Sequence, residues 1–191
     1  MWRNKFAKYI LEKFIIKQGV SENDKIIYLY GLTEGITIIE NIIITLLIGY
    51  VYGNMIQTII FLLSYIPLRS YAGGYHAKTE KRCFIYSILM ILAIEIYFSY
   101  SFQISYAVIF LAISMSVLLI MVYSPIESES KLLSITEKKF CKQRVYSILA
   151  LEYIIILLCM FFKQNSFISG IAAALFIETI LVLFGKLRRR Q

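Results

Sequence analysis

Long runs of apolar residues, separated by short polar segments, dominate this sequence of 191 residues. Each run is long enough, or nearly so, to cross about 30 Å of hydrocarbon as a helix. Because backbone amides and carbonyls must be hydrogen-bonded inside a bilayer, such runs favour helices. The pattern predicts an all-α, polytopic integral membrane protein with about six transmembrane helices, over residues 26–52, 55–68, 84–98, 104–122, 148–162 and 167–184.

The segment 1–20, before the first run, mixes cations with aromatic and aliphatic residues. At helical spacing Trp2 and Phe6 share one face, although Arg3 intrudes on that face. The pattern predicts an N-terminal interfacial amphipathic helix rather than a cleaved signal peptide. No internal repeat or flexible linker interrupts the chain, so residues 1–191 are expected to form a single membrane domain.

Composition and charge agree with a membrane location. Hydrophobic residues make up 59% of the chain and charged residues 17%, far from the balance of a soluble domain. Nineteen of the twenty Lys and Arg residues lie before the first run, in 69–82, in 123–146 or after Gly185. Six crossings with both termini in the cytoplasm put all nineteen on the cytoplasmic side of the cell membrane. Segments 69–83 and 123–146 are then cytosolic loops. The topology explains the net charge of +8 without a nucleic-acid partner. Anionic membrane lipids are the expected partner of the basic segments.

Several glutamates lie inside the predicted spans. Carboxylates are costly in hydrocarbon, so these side chains should face the protein interior or a headgroup boundary. One interpretation is a proton or ion path. The interpretation that we favour is polar contact between helices or a docking groove for a peptide, because no basic residue is embedded among them in the sequence. The five residues are Glu34, Glu40, Glu95, Glu152 and Glu178.

The polar segment 69–83 holds the one histidine of the chain, His76, and one of its three cysteines, Cys83. A helix that begins near Thr79 puts Cys83 in its first turn, where the helix dipole and neighbouring cations favour a thiolate. On one continuous helix the two residues would be about 10.5 Å apart along the axis. The helix is therefore expected to break between them if they act as a pair.

Other residues of this segment are candidates for supporting roles. Gly73 and Gly74 permit backbone conformations that are closed to other residues, and their amides are candidate oxyanion donors. Arg69 carries the planar donor fork that binds a carboxylate of a substrate through two hydrogen bonds. The plainer alternatives are an ordinary turn for the glycines, anchoring at the membrane interface for Arg69 and a solvated loop position for His76.

The cysteine spacing argues against a structural metal or a disulfide framework. A metal site made of His76, Cys83 and Cys141 would need a fourth ligand or an open position and lacks a characteristic spacing. Cys159 lies within the fifth run, and Cys141 lies in the second basic segment, so both are expected to be structural. We predict no metal and no cofactor.

The central motif resembles the accessory gene regulator protein B family (AgrB-like), membrane cysteine endopeptidases that process a quorum-sensing propeptide. Family members have an arginine, then a segment of small residues ending in Gly-x-His-Ala, then a cysteine seven residues after the histidine. The corresponding residues here are Arg69, Gly74, His76, Ala77 and Cys83. A weaker likeness, from which Ser124 and Leu132 depart, covers residues 123–125 and 131.

The resemblance implies cleavage of a short, amphipathic AgrD-like propeptide on its C-terminal side, with Cys83 as nucleophile and His76 as general base. It also implies a thioester intermediate, closure of a thiolactone or lactone ring by a residue of the peptide, and a homodimer. The competing hypothesis is a small transporter or scaffold without enzymatic activity, in which the basic loops only set the topology.

Overall fold

The computed structural model describes residues 2–15, 22–75, 80–100, 105–127 and 134–188. Within these ranges the chain is helical apart from short connections, so the predicted all-α fold with several membrane-spanning helices is confirmed. A π-helical turn, Leu11–Ile15, follows the first helix. The α-helices are α1 (Trp2–Ile10), α2 (Glu22–Tyr52), α3 (Met55–Ala72), α4 (Glu80–Tyr100), α5 (Tyr106–Tyr123), α6 (Ile135–Phe161) and α7 (Asn165–Arg188).

Five of the helices in the described ranges are long and apolar enough to cross a membrane: α2, α4, α5, α6 and α7. The predicted span 55–68 also folds as a helix, α3, but α3 is not among the five. Its 18 residues include Gln57, Pro67 and Arg69, and several of its polar side chains are buried against other helices. Packing inside the protein therefore contributes to the stability of α3.

The chain divides into two compact units, residues 1–47 and 48–191. In the first unit Arg3 of α1 is buried and pairs with Glu40 of α2, with 2.6 Å between Nη2 and Oε2. The sequence pattern treated Arg3 as an interruption of an apolar face. The structure shows that a carboxylate from a predicted span balances its charge, which is how buried ions are accommodated.

In the second unit α7 is the central helix. More than half of its apolar stretch, 56%, is buried, and it packs against α3, α4, α5 and α6. Small residues allow the close approach: a methyl group on Gly170 would lie 2.8 Å from Ile60 Cγ2 of α3. The main buried core joins α3, α5, α6 and α7 through Leu68, Ile113, Ile120, Leu149, Ile156, Ile168 and Leu175.

A capping box fixes the start of α6. Ser134 Oγ accepts a hydrogen bond from the Glu137 amide (3.2 Å), and Glu137 Oε2 accepts one from the Ser134 amide (2.8 Å). As a result α6 begins well before the predicted fifth span, and residues 135–146 of the predicted second basic loop are helical. Hydropathy missed these turns because most of their side chains are polar and exposed.

Candidate active site

Cys83 is the fourth residue of α4, and its free thiol belongs to a half-buried side chain. Helix α3 ends at Ala72, and residues 73–75 are not helical, so no continuous helix connects α3 to α4 through residue 75. We call residues 73–75 the entry segment because they lead into His76. His76 itself, like the predicted helix start at Thr79, lies outside the described residues.

The backbone from the end of α3 through the entry segment is hydrogen-bonded on two sides. The amide of Ile126, just after α5, donates to the carbonyl of Ala72 at 2.8 Å. The amide of Tyr75 donates to the carbonyl of Leu181 on α7, also at 2.8 Å. These contacts from two different parts of the fold determine the path of the backbone that reaches the predicted histidine.

Both glycines of the entry segment have positive φ and leave no room for a side chain. Gly73 has φ 71°, and a methyl group there would overlap the carbonyl oxygen of Ile126. Gly74 has φ 129°, and a methyl group there would overlap Nη1 of Arg69. The amide of Gly73 donates to the carbonyl of Arg69 at 3.2 Å and so caps α3. In this conformation that amide is engaged, which differs from its predicted use as an oxyanion donor.

The guanidinium of Arg69 points at the protein's own backbone. Nη1 donates to the carbonyl of Gly73 at 2.5 Å, and Nη2 donates to the carbonyl of Tyr75 at 2.7 Å. Nη1 also lies 3.8 Å from Oε1 of Glu178, a fully buried residue of α7. These contacts hold the entry segment, and the contact of Arg69 with a substrate carboxylate stays a prediction.

Tyr65 lies one turn before Arg69 on α3. Its hydroxyl is within electrostatic range of Arg69, Glu178 and Cys83. Its ring stacks on Phe61, with 5.2 Å between the ring centroids. Sequence reasoning did not select Tyr65, because the chain has 15 tyrosines and nothing in the local pattern distinguishes this one. Around the entry segment the structure thus brings together residues of α3 and α7.

Cations from separate sequence segments meet at this end of the second unit. Nζ of Lys186, on α7, lies 3.4 Å from the ring centroid of Tyr123, the last residue of α5. Nζ of Lys138, on α6, lies 2.6 Å from Oε1 of Glu127. The end of α5, the start of α6 and the end of α7 therefore lie together.

Comparison with known proteins identifies the family. The family model for Accessory gene regulator B matches residues 3–182. The chain belongs to this family. It is 27% identical to an AgrB-like protein of Clostridium perfringens over 139 residues, which are 70% of this chain and 64% of that protein, so the match spans less than two thirds of that relative. It is 24% identical to the accessory gene regulator protein B of Staphylococcus haemolyticus over 153 residues, 80% of this chain and 79% of the relative. No solved structure matches. The family predicted from the central motif is confirmed.

Two buried glutamates of this AgrB-family chain bind neutral partners. Glu95 accepts hydrogen bonds from Thr58 Oγ1 at 2.7 Å and from Asn54 Nδ2 at 3.1 Å. Glu152 accepts one from Ser64 Oγ at 2.5 Å. Each of these contacts joins α4 or α6 to α3 or to its N-cap, which is the polar contact between helices that the sequence suggested.

The expectation that no basic residue is embedded with the glutamates is wrong. Arg69 faces Glu178, and Arg3 pairs with Glu40. Glu34, in contrast, is exposed. Sequence reasoning missed both pairs because each arginine lies far from its glutamate along the chain. Each arginine also lies outside the apolar run that contains its glutamate.

The other two cysteines lie on α6, and both are free and half-buried. Cys159 packs against the main core, as expected of a residue in an apolar span. Among the residues that the structure describes, no three His, Cys, Asp or Glu side chains are grouped so that they could hold a metal ion.

Proposed function

We propose that this family member is a membrane cysteine endopeptidase that cleaves the C-terminal part of a short, AgrD-like autoinducer propeptide in quorum sensing. The observation that carries the proposal is the position of Cys83, a half-buried free thiol in the first turn of α4, which follows along the chain the entry segment held by Arg69. Membership of the Accessory gene regulator B family supports a role in processing such a peptide.

The chemistry uses Cys83 as nucleophile and His76 as general base. His76 accepts the thiol proton, and the sulfur attacks the carbonyl carbon of the scissile bond. When the carbon–nitrogen bond breaks, His76 returns the proton to the leaving amine, and the N-terminal part of the peptide remains on Cys83 as a thioester. A thiol or hydroxyl of the same peptide then attacks the thioester carbonyl, which forms a thiolactone or lactone and releases the Cys83 sulfur. No nucleotide is consumed, because the thioester is itself an activated acyl group.

We propose that this site, together with both termini, faces the cytoplasm. The support is the positive-inside pattern of the sequence, joined in the second unit by the contacts that gather the ends of α5 and α7 and the start of α6 at the same end as the entry segment. An impermeant thiol reagent applied to intact cells should leave Cys83 unmodified in a variant that lacks Cys141 and Cys159. Modification of Cys83 from outside would contradict this orientation. The homodimer and the binding of specific lipids stay predictions from the resemblance.

The activity is tested in proteoliposomes that contain the full chain and a candidate AgrD-like propeptide, with the products identified by mass spectrometry. Wild-type protein should release a C-terminal fragment, and Cys83→Ala and His76→Ala should abolish that release. Cys141→Ala and Cys159→Ala are the matched controls and should retain it.

Two results would count against the proposal. An uncut propeptide with wild-type protein would favour the transporter or scaffold hypothesis. Loss of cleavage in Cys159→Ala, with folded protein still present, would show that the wrong sulfur has been assigned.

A further inference from the structure

One face of α7 supports the entry segment along its whole length. The carboxylate of Glu178 faces Arg69, and the carbonyl of Leu181 accepts the hydrogen bond from Tyr75. A methyl group on Gly185 would lie 3.0 Å from the carbonyl carbon of Gly74. These three residues of α7 follow one another at helical spacing, so they form one continuous stripe.

Within this stripe Glu178 is the charged member, and its surroundings are unusual. Its side chain is fully buried, and neither carboxylate oxygen has a hydrogen-bond partner by strict geometry among the described residues. The nearest charged group recorded there is the guanidinium of Arg69, 3.8 Å away. A buried carboxylate is expensive unless a cation or donors compensate it, and the Arg69 guanidinium is the described cation that compensates Glu178.

The effect of Glu178 on the Arg69 side chain is the one that bears on function. The Arg69 side chain is only 18% exposed, and its two terminal nitrogens donate to the carbonyls of Gly73 and Tyr75. With a neutral residue at position 178, the guanidinium would lose its nearby anion and would gain from turning toward water. The two backbone carbonyls would then lose their donors, and the residue after Tyr75 is His76.

We propose that Glu178 is a positioning residue for the catalytic pair: its carboxylate orients Arg69, and Arg69 fixes the entry segment, the backbone that leads into His76. This inference rests on the proposed function and deepens it. Glu178 contacts neither the substrate nor the reacting atoms; it acts through Arg69. A displacement of about 1 Å at a reacting group is sufficient to slow a reaction by about 100-fold.

The test compares Glu178→Gln, which keeps shape and removes charge, with Glu152→Gln as a matched control. Glu152 is also buried and is hydrogen-bonded to Ser64, but it has no contact with Arg69 among the recorded ones. Both variants are purified as full chains in proteoliposomes. Three rates are measured: propeptide cleavage, alkylation of Cys83 by iodoacetamide in a background that lacks Cys141 and Cys159, and tryptic nicking between residues 75 and 83.

We expect Glu178→Gln to lower kcat by about 10- to 100-fold, with KM changed by less than about threefold, since substrate contacts are kept. Alkylation of Cys83 should slow toward the rate of His76→Ala, and tryptic nicking should accelerate. Glu152→Gln should match wild type in all three rates. In an Arg69→Ala background, Glu178→Gln should have little further effect, because the two residues act as one unit. Glu178→Asp, which keeps the charge, should recover part of kcat. If Glu178→Gln does not fold, the same three rates are measured on Glu178→Asp, whose shorter side chain moves the carboxylate away from Arg69.

The proposal is overturned if folded Glu178→Gln has the kcat, alkylation rate and nicking rate of wild type. It is also overturned if Glu152→Gln loses activity equally, because the effect would then belong to any buried carboxylate. Failure of the proposed function would look different: wild-type protein would leave the propeptide intact, and His76→Ala would alkylate at the wild-type rate. Alkylation and nicking need no substrate, so the two failures are distinguishable.

Discussion

The two ends of the unit 48–191 each bury a glutamate, but they surround it differently. At one end the Glu95 carboxylate accepts hydrogen bonds from two neutral donors, the side chains of Thr58 and Asn54. At the other end Glu178 has an arginine 3.8 Å away and no hydrogen-bond partner by strict geometry among the described residues.

The difference indicates a separate role for each carboxylate, one in stability and one in positioning. The hydrogen bonds that Glu95 accepts from Asn54 and Thr58 join α4 to the start of α3. These three residues, the Glu95 cluster, therefore stabilise the fold. The cation beside Glu178 is itself engaged with the backbone of the entry segment, so that pair determines the local conformation of the segment that leads into His76. Changes at the Glu95 end should therefore alter stability, and changes at the Glu178 end should alter activity per folded molecule.

The largest effect is expected from Gly74→Ala. The new methyl group would overlap Nη1 of Arg69 and lie 3.1 Å from the Leu181 carbonyl, at a φ of 129° that suits glycine alone. We expect propeptide cleavage per folded molecule to fall by at least about 100-fold. The measurement is the initial rate in proteoliposomes, normalised to protein that elutes as a single peak in detergent.

The matched change at the opposite end is Gly49→Ala, whose methyl group would lie 2.8 Å from Cβ and Cγ2 of Thr58. It should lower the thermal unfolding midpoint and leave cleavage per folded molecule unchanged. If Gly49→Ala reduced activity as strongly as Gly74→Ala, the division between the two ends would be wrong.

The next largest effect is expected from Glu95→Gln. The new amide group would turn an N–H₂ toward either Thr58 or Asn54, so one buried donor would lose its acceptor. The free energy of unfolding should fall by about 1–3 kcal/mol, measured by denaturant titration in detergent micelles. Glu34→Gln, at an exposed site, is the control and should leave the unfolding curve in place. An unchanged curve for Glu95→Gln would show that the cluster adds nothing to stability.

A smaller effect is expected from Gly185→Ala. Its methyl group would lie 3.0 Å from the amide nitrogen of Tyr75, so the entry segment must shift by a few tenths of an ångström. We expect cleavage to slow by about 10-fold, which corresponds to about 1.4 kcal/mol in the activation free energy. Gly31→Ala is the control, since no atom outside its own helix backbone lies within 4 Å of the added carbon. Equal rates for Gly185→Ala and wild type would argue that α7 does not constrain the entry segment.

The smallest effect is expected from Ser134→Ala, which removes the cap of α6. The amide of Glu137 would lose its acceptor, and the unfolding free energy should fall by about 1 kcal/mol. Cleavage should stay within twofold of wild type, because the cap has no recorded contact with the entry segment. Ser147→Ala, on the same helix, serves as control and should change stability less. A large loss of activity in Ser134→Ala would extend the functional region into the start of α6.

Local chemistry made part of the site predictable. The seven-residue separation of His76 and Cys83 predicts a break in the helix if the two act as a pair. Residues 73–75, before His76, are not helical and α4 begins at Glu80, but the residues between lie outside the described ranges, so the break stays a prediction. The glycine pair predicted unusual backbone conformations, and both glycines have positive φ. The direction of the Arg69 side chain was not predictable, because the same donor fork suits a substrate carboxylate, a backbone carbonyl or a buried glutamate equally well.

By itself the sequence determined the helices, the membrane environment and the residues available for chemistry. Long apolar runs can satisfy their backbone groups in a bilayer only as helices, and the cationic clusters set the topology that we propose, so both follow from short windows of the chain. The tertiary structure decided which polar groups meet. Glu178 and Arg69 belong to different helices, and so do Glu95 and Thr58; their pairing depends on how α7 and α4 pack against α3. Packing depends on side-chain shape summed over the whole unit, which no local window contains.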